Sequence, residues 1–81
     1  MALKEIRERR NLSQSQLAQV SGVNVRMIQA YEQQLKNLNN AKSTTLLKLS
    51  LALECEISDI VTDEEFLYLL KEYERRMNHV K

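Results

Sequence analysis

A single glycine, Gly22, punctuates this 81-residue chain, and there is no proline at all. Sheets with several tight turns draw on those two residue types, so their near absence pushes the chain towards helices joined by short polar links. The flanks of Gly22 agree. Leu17, Val20, Val23, Ile28 and Tyr31 recur at three- to five-residue intervals, the spacing of an apolar stripe along helices. Ser13-Gln14-Ser15-Gln16 has the form of a capping box, in which Ser13 accepts from the backbone three residues on and Gln16 reaches back. Gly22 suits the position just past a helix end, where φ is positive. Val23 then points inward, and Asn24 caps the next helix. Two short helices joined through Gly22-Val23-Asn24 make a helix-turn-helix.

The rest of the chain continues the helical reading. Ala2–Arg10 forms a helix with Leu3 and Ile6 on one face, stopping near Asn11, which tolerates the left-handed conformation. Leu12 re-enters the core. Gln33–Lys42 is polar and Asn-rich, a loop anchored by Leu38. Ser43 or a neighbour opens a fourth helix, Thr44–Leu53, with Leu46, Leu49 and Leu53 inward. Ser58-Asp59 caps a one-turn helix that buries Ile57 and Ile60. Thr62-Asp63-Glu64-Glu65 reads as a second capping box and suits the helix dipole. The helix it opens runs to about Asn78. Its Phe66, Leu70, Tyr73, Met77 and Val80 alternate four and three apart as a heptad seam, widened by Leu67 and Leu69. Two heptads are too few for an independent coiled coil. The seam can pair with a second copy, dock on a different protein, or fold back on its own bundle. An exposed apolar stripe is unusual in a monomer, which favours self-association.

Charged residues make up 28% of the chain and hydrophobic ones 43%, the balance of a soluble globular protein. One small domain of this length buries a limited core, so it works by binding rather than through a deep catalytic pocket. A lone cysteine forms no internal disulfide, and a reducing cytoplasm is the expected setting. No apolar run reaches the length of a membrane span, and the start lacks a signal peptide's core. Cys55 has no second cysteine or nearby histidine at ligand spacing, so no metal is expected and the thiol reads as a small buried hydrophobe. Ser13 and Ser15 lack a histidine base, His79 stands alone, and there is no glycine-rich phosphate loop, so neither catalysis nor a cofactor is expected. The formal charge of +1 hides a split. Residues 1–48 carry eight basic and three acidic residues, a net +5, whereas 49–81 carry four basic and eight acidic, a net −4. A basic front half suits an anionic partner, for which nucleic acid is the usual candidate.

From Leu12-Ser13-Gln14-Ser15-Gln16-Leu17-Ala18 through Gly22-Val23-Asn24 to Ile28, Tyr31 and Glu32, the chain resembles the phage-repressor helix-turn-helix family. This is the Cro/cI type, also called the xenobiotic-response-element family. The likeness extends over Leu46-Leu47-Lys48-Leu49 and from Cys55 to Val61, roughly residues 3–61 in all. It implies an all-α fold: a five-helix lambda-repressor-like bundle over residues 1–61, with an extra C-terminal helix over 62–81 for dimerisation or partner binding. It also implies binding to double-stranded DNA as a homodimer. Carried over by position, Gln14 matches the glutamine at the start of the second helix that braces a phosphate or the groove rim. Val25, Arg26 and Ala30 match the outward positions of the recognition helix, with Met27 and Gln29 beside them. Arg7 and Glu32 match a pair tying the first helix to the end of the third. Many members follow that glutamate with Asn/Arg-Gly, where this chain has Gln33-Gln34. Loss of that glycine predicts an extension of the third helix towards Leu35, with Gln33 and Lys36 near the phosphate backbone.

The chemistry fits those roles. Arg26 can donate twice to guanine, a contact that discriminates by about 1–3 kcal/mol. Val25 and Ala30 suit a thymine methyl, and Gln29 suits adenine or a phosphate. Lys36 and Lys42 are either phosphate contacts or solvated lysines; Arg9 and Arg10 read as solvated. The function expected is a sequence-specific transcriptional regulator, a repressor on a near-palindromic operator. The alternative is an antitoxin-like interaction module whose C-terminal helix binds a partner protein.

Overall fold

The structure, a computed structural model, describes the backbone of residues 3–80 and the side chains as far as Asn78. Ala2 and the side chains of His79 and Val80, which the sequence reading used, lie outside the described residues. Among those described there are six α-helices, one 3-10 turn and no strand. The helices are α1 (Leu3–Arg9), α2 (Gln14–Ser21), α3 (Val25–Glu32), α4 (Ser43–Leu53), α5 (Ile57–Ile60) and α6 (Glu64–Val80). The 3-10 turn, Leu38–Asn40, sits in the loop between α3 and α4. The fold is all-α, as expected.

A chain with one glycine has to stop its helices by other means. Four of the stops use the left-handed conformation: Asn11 at φ 59°, Gly22 at 76°, Gln34 at 62° and Glu54 at 52°. At Asn11, Gln34 and Glu54 the backbone closes the same way. The residue in the left-handed well donates three back, and its successor donates five back (Leu12 to Arg7, Leu35 to Ala30, Cys55 to Ser50). Gln34 thus takes the left-handed position that a glycine commonly fills, and α3 stops at Glu32 instead of continuing to Leu35. Satisfying the last carbonyls of α3 outweighs the cost of a left-handed glutamine, roughly 1 kcal/mol.

Leu17, Ile28, Leu49 and Leu53 are sealed from solvent. Around them Leu3, Ile6, Val23, Tyr31, Leu46, Ile60 and Val61 complete one core, with Leu12, Leu38 and Ile57 leaning on it. Each buried leucine or isoleucine contributes about 1.5–3 kcal/mol by leaving water. Helix α2 packs on α3 and α4, α1 on α3, and α5 on α4.

Three local expectations need correction. Val20 is 60% exposed, not part of the stripe. The inward arc of α2 runs through Gln14, Leu17, Ala18 and Ser21, and at 100° per residue Val20 falls on its far flank. The one-turn helix α5 is opened by Glu56, whose backbone donates to Asp59 Oδ2 at 2.9 Å, rather than by Ser58. Asp63, not Thr62, caps α6: its Oδ1 accepts from the backbones of Glu65 (3.0 Å) and Phe66 (3.2 Å). Thr62 instead joins the loop, donating from its backbone to Asn39 Oδ1 at 2.8 Å while its hydroxyl accepts from Asn39 Nδ2 at 3.1 Å.

Candidate nucleic-acid interface

The turn between α2 and α3 is set by short-range hydrogen bonds. Ser13 Oγ accepts from the Gln16 backbone at 3.0 Å, and Gln16 Oε1 accepts from the Ser13 backbone at 2.8 Å, completing the expected capping box. Gly22 is required for its positive φ and not for space, since a Cβ there would meet nothing within 4 Å. Ser21 Oγ accepts from the Val23 backbone at 3.0 Å, which turns Val23 into the core. Asn24 Oδ1 then accepts from the Arg26 backbone at 2.7 Å and starts α3.

The far end of α3 is clamped as firmly. Arg7 donates from Nε to Glu32 Oε2 at 2.7 Å and from Nη2 to Oε1 at 2.9 Å, while its Nη1 donates to the Leu12 carbonyl at 2.7 Å. Gln14 Nε2 adds a fourth bond, to Glu32 Oε1 at 3.0 Å. The two charged side chains are 10% and 3% exposed. Burial alone would push the Glu32 carboxyl up, but the hydrogen bonds from Arg7 and Gln14 and the charge of Arg7 hold it below the ordinary carboxylate value. The hydrogen bond to Glu32 raises Arg7 in turn. One carboxylate at the end of α3 therefore gathers α1, α2 and α3. The expected pairing of Arg7 with Glu32 is present, and Gln14 joins it.

With Ile28 and Tyr31 buried on one side, α3 turns its other side outward. Arg26, Gln29 and Gln33 are exposed along that edge at i, i+3 and i+7. Val25 and Ala30 are half-buried beside them. Met27 is also half-buried, packed against the core. Lys36 stands exposed in the loop, apart from that edge, on a groove between α3, the loop and α4. Met27, Asn40, Thr44 and the cations Lys36, Lys42 and Lys48 line this groove. The sequence leaves the role of Lys42 open and places Lys48 and Thr44 in no motif of their own. The only signal for those two was their i, i+4 spacing on the outer face of α4.

Arg10 is not simply solvated. It donates to the carbonyls of Leu53 at 2.8 Å and Glu54 at 3.0 Å, a cation seated on the C-terminal end of α4. Cys55 is half-buried against the core, and burial together with Asp59 pushes its thiol up, away from a reactive thiolate. No group of metal-ligating side chains occurs among the described residues, and no described helix is long and apolar enough to cross a membrane.

A protein-family model described as helix-turn-helix matches residues 3–60, most of the chain and the whole of the bundle that presents α3. The chain belongs to the Cro/cI-type helix-turn-helix family. No curated protein and no solved structure matched it. Cro/cI-type domains are those of DNA-binding transcription regulators, and double-stranded DNA is the ligand the family implies. In this helix-turn-helix α2 is the supporting helix and α3 the one presented outward.

Proposed function

We propose that the protein is a sequence-specific repressor that sets α3 into the major groove of a near-palindromic operator. One observation carries the reading: among the described residues no other element covers the edge of α3 formed by Arg26, Gln29 and Gln33, while its opposite side is locked into the core. A helix held this way offers its N-terminal outward residues to base edges. Arg26 reads a guanine, Val25 and Ala30 lie against thymine methyls, and Gln29 takes an adenine or a phosphate. Met27 lies beside that edge, half-buried against the core and lining the neighbouring groove. Gln14 commits one N–H of its amide to Glu32, and the backbone N–H groups at the start of α2 add a further means of holding a phosphate. Gln33 and the lysines at 36, 42 and 48 meet the backbone of the duplex, fixing register without reading sequence.

Residues 1–61 form the DNA-binding unit and 62–81 the associating one. Two copies would place their α3 helices in successive major grooves, about 34 Å apart on B-DNA. Occupying a promoter represses it. The test is titration of duplex DNA at several salt concentrations. Affinity should fall by about 0.9 log units per neutralised phosphate for each log unit of salt. Arg26→Ala should flatten the preference at one base position per half-site, at about 1–3 kcal/mol. Binding insensitive to salt, or indifferent to Arg26, would refute the reading.

The exposed seam of α6 supports a second reading, an antitoxin-like module that masks a partner protein. It predicts a chain that stays monomeric without its partner.

A further inference from the structure

Helix α6 leaves an apolar line in solvent. Phe66 is 38% exposed, Tyr73 60% and Met77 44%, with Leu70 half-buried between them. Of the described side chains of α6, Leu67 alone leans on the core. The molecule measures 40 × 23 × 20 Å. Its radius of gyration of 13.3 Å exceeds the roughly 12 Å of a compact chain this long, so α6 does not fold back to enlarge the bundle.

We propose that α6 pairs antiparallel with α6 of a second copy about a two-fold axis passing between Lys71 and Glu72. Two features of the helix select that occupant. The seam is its own mirror about that point: Phe66 and Met77 lie equally far from it, as do Leu70 and Tyr73. Turning one copy end for end sets Phe66 on Met77 and Leu70 on Tyr73, which pairs a ring with a thioether and a leucine with a ring. The charges repeat the pattern. Asp63, Glu64 and Glu65 open the helix, and Arg75 and Arg76 come near its other end. Asp63 and Glu65 border the seam at the start of the helix and Arg76 borders it near the other end, whereas Glu64 and Arg75 fall on the far side. Antiparallel pairing brings Glu65 of one copy beside Arg76 of the other, whereas parallel pairing sets each Asp63 against its own image. Arg75 already pairs with Glu72 of its own helix at 2.5 Å, so Arg76 bears most of the attraction between copies. A two-fold interface brings one patch against itself, and a seam symmetric about its midpoint meets that requirement.

This deepens the dimer of the proposed function but is read without DNA, so failure of one leaves the other testable. The test uses the full chain with Cys55→Ala throughout. Phe66→Cys and Met77→Cys chains are mixed and oxidised. The antiparallel register crosslinks the mixture and not Phe66→Cys alone, whose two thiols stand about 16 Å apart along the helices, beyond the ~7 Å limit for a disulfide. Crosslinking of Phe66→Cys with itself indicates parallel pairing and overturns the proposal. A second set changes only exposed charges. Arg76→Glu should weaken dimerisation about threefold in sedimentation equilibrium, and adding Glu65→Lys should restore it. A chain that remains monomeric to about 1 mM, or a dimer indifferent to these changes and held instead through Leu47 and Leu51 of α4, also overturns it.

Discussion

Replacing Arg7 by methionine tests how α3 is held. Methionine keeps the bulk of the side chain but removes three hydrogen bonds, two to Glu32 and one to the Leu12 carbonyl. Glu32 is left 3% exposed, with Gln14 as its remaining side-chain donor. Breaking a buried pair on one side costs about 3–5 kcal/mol, because the surviving charge stays buried without its counter-ion. An 81-residue domain commands about 4–12 kcal/mol in all. The Arg7→Met variant should therefore be marginal or unfolded at neutral pH. In urea denaturation followed by circular dichroism, a slope near 1 kcal/mol/M turns that loss into a midpoint drop of about 3 M or more. The double variant Arg7→Met, Glu32→Leu should lose less than Arg7→Met alone, since it leaves no orphaned carboxylate. A loss below about 1 kcal/mol for Arg7→Met, at unchanged slope, would refute the claim that this carboxylate gathers the three helices.

The left-handed stops predict the opposite sign. Gln34→Gly and Glu54→Gly should each stabilise the domain by about 0.5–1 kcal/mol, read from the same urea curves, because glycine takes the positive φ without strain. Stability should also respond to acid. A carboxyl whose folded pKa lies below its ordinary value of 4.5 adds stability that is complete above that value and disappears as pH falls through the folded one. Between neutral pH and pH 3 the wild type should lose more than the Arg7→Met, Glu32→Leu double variant. On DNA, Lys36→Ala and Lys42→Ala should each lower the salt slope by about 1 and weaken all sequences alike.

Much of this architecture could be read from residue order because its signals are local. The capping box at Ser13, the positive φ at Gly22, the Asn24 cap and the left-handed Asn11 each depend on one to four neighbouring residues. The readings that failed were those with rival local solutions or distant partners. Thr62 and Asp63 are both good caps, and the choice fell to Asp63 because Asn39, twenty-three residues away, engages Thr62. Arg10 looked like a surface cation because its acceptors, the carbonyls of Leu53 and Glu54, lie more than forty residues along the chain. Gln34 was missed because glutamine carries no preference for the left-handed well and takes it only to close α3. In the candidate interface, Arg26 and Gln29 follow from helical spacing once Ile28 and Tyr31 are fixed inward. Lys48 needs the loop and α4 brought beside α3 before its place on the groove emerges.

On the proposed function, the exposed edge of α3, with Arg26 at its head, reads base sequence. The most direct measurement is selection of duplexes from a random pool by the wild type and by Arg26→Ala in parallel. The wild type should select a two-fold symmetric site, and Arg26→Ala the same site with its preference erased at one guanine in each half. No enriched site, or an identical site from both proteins, would contradict that function.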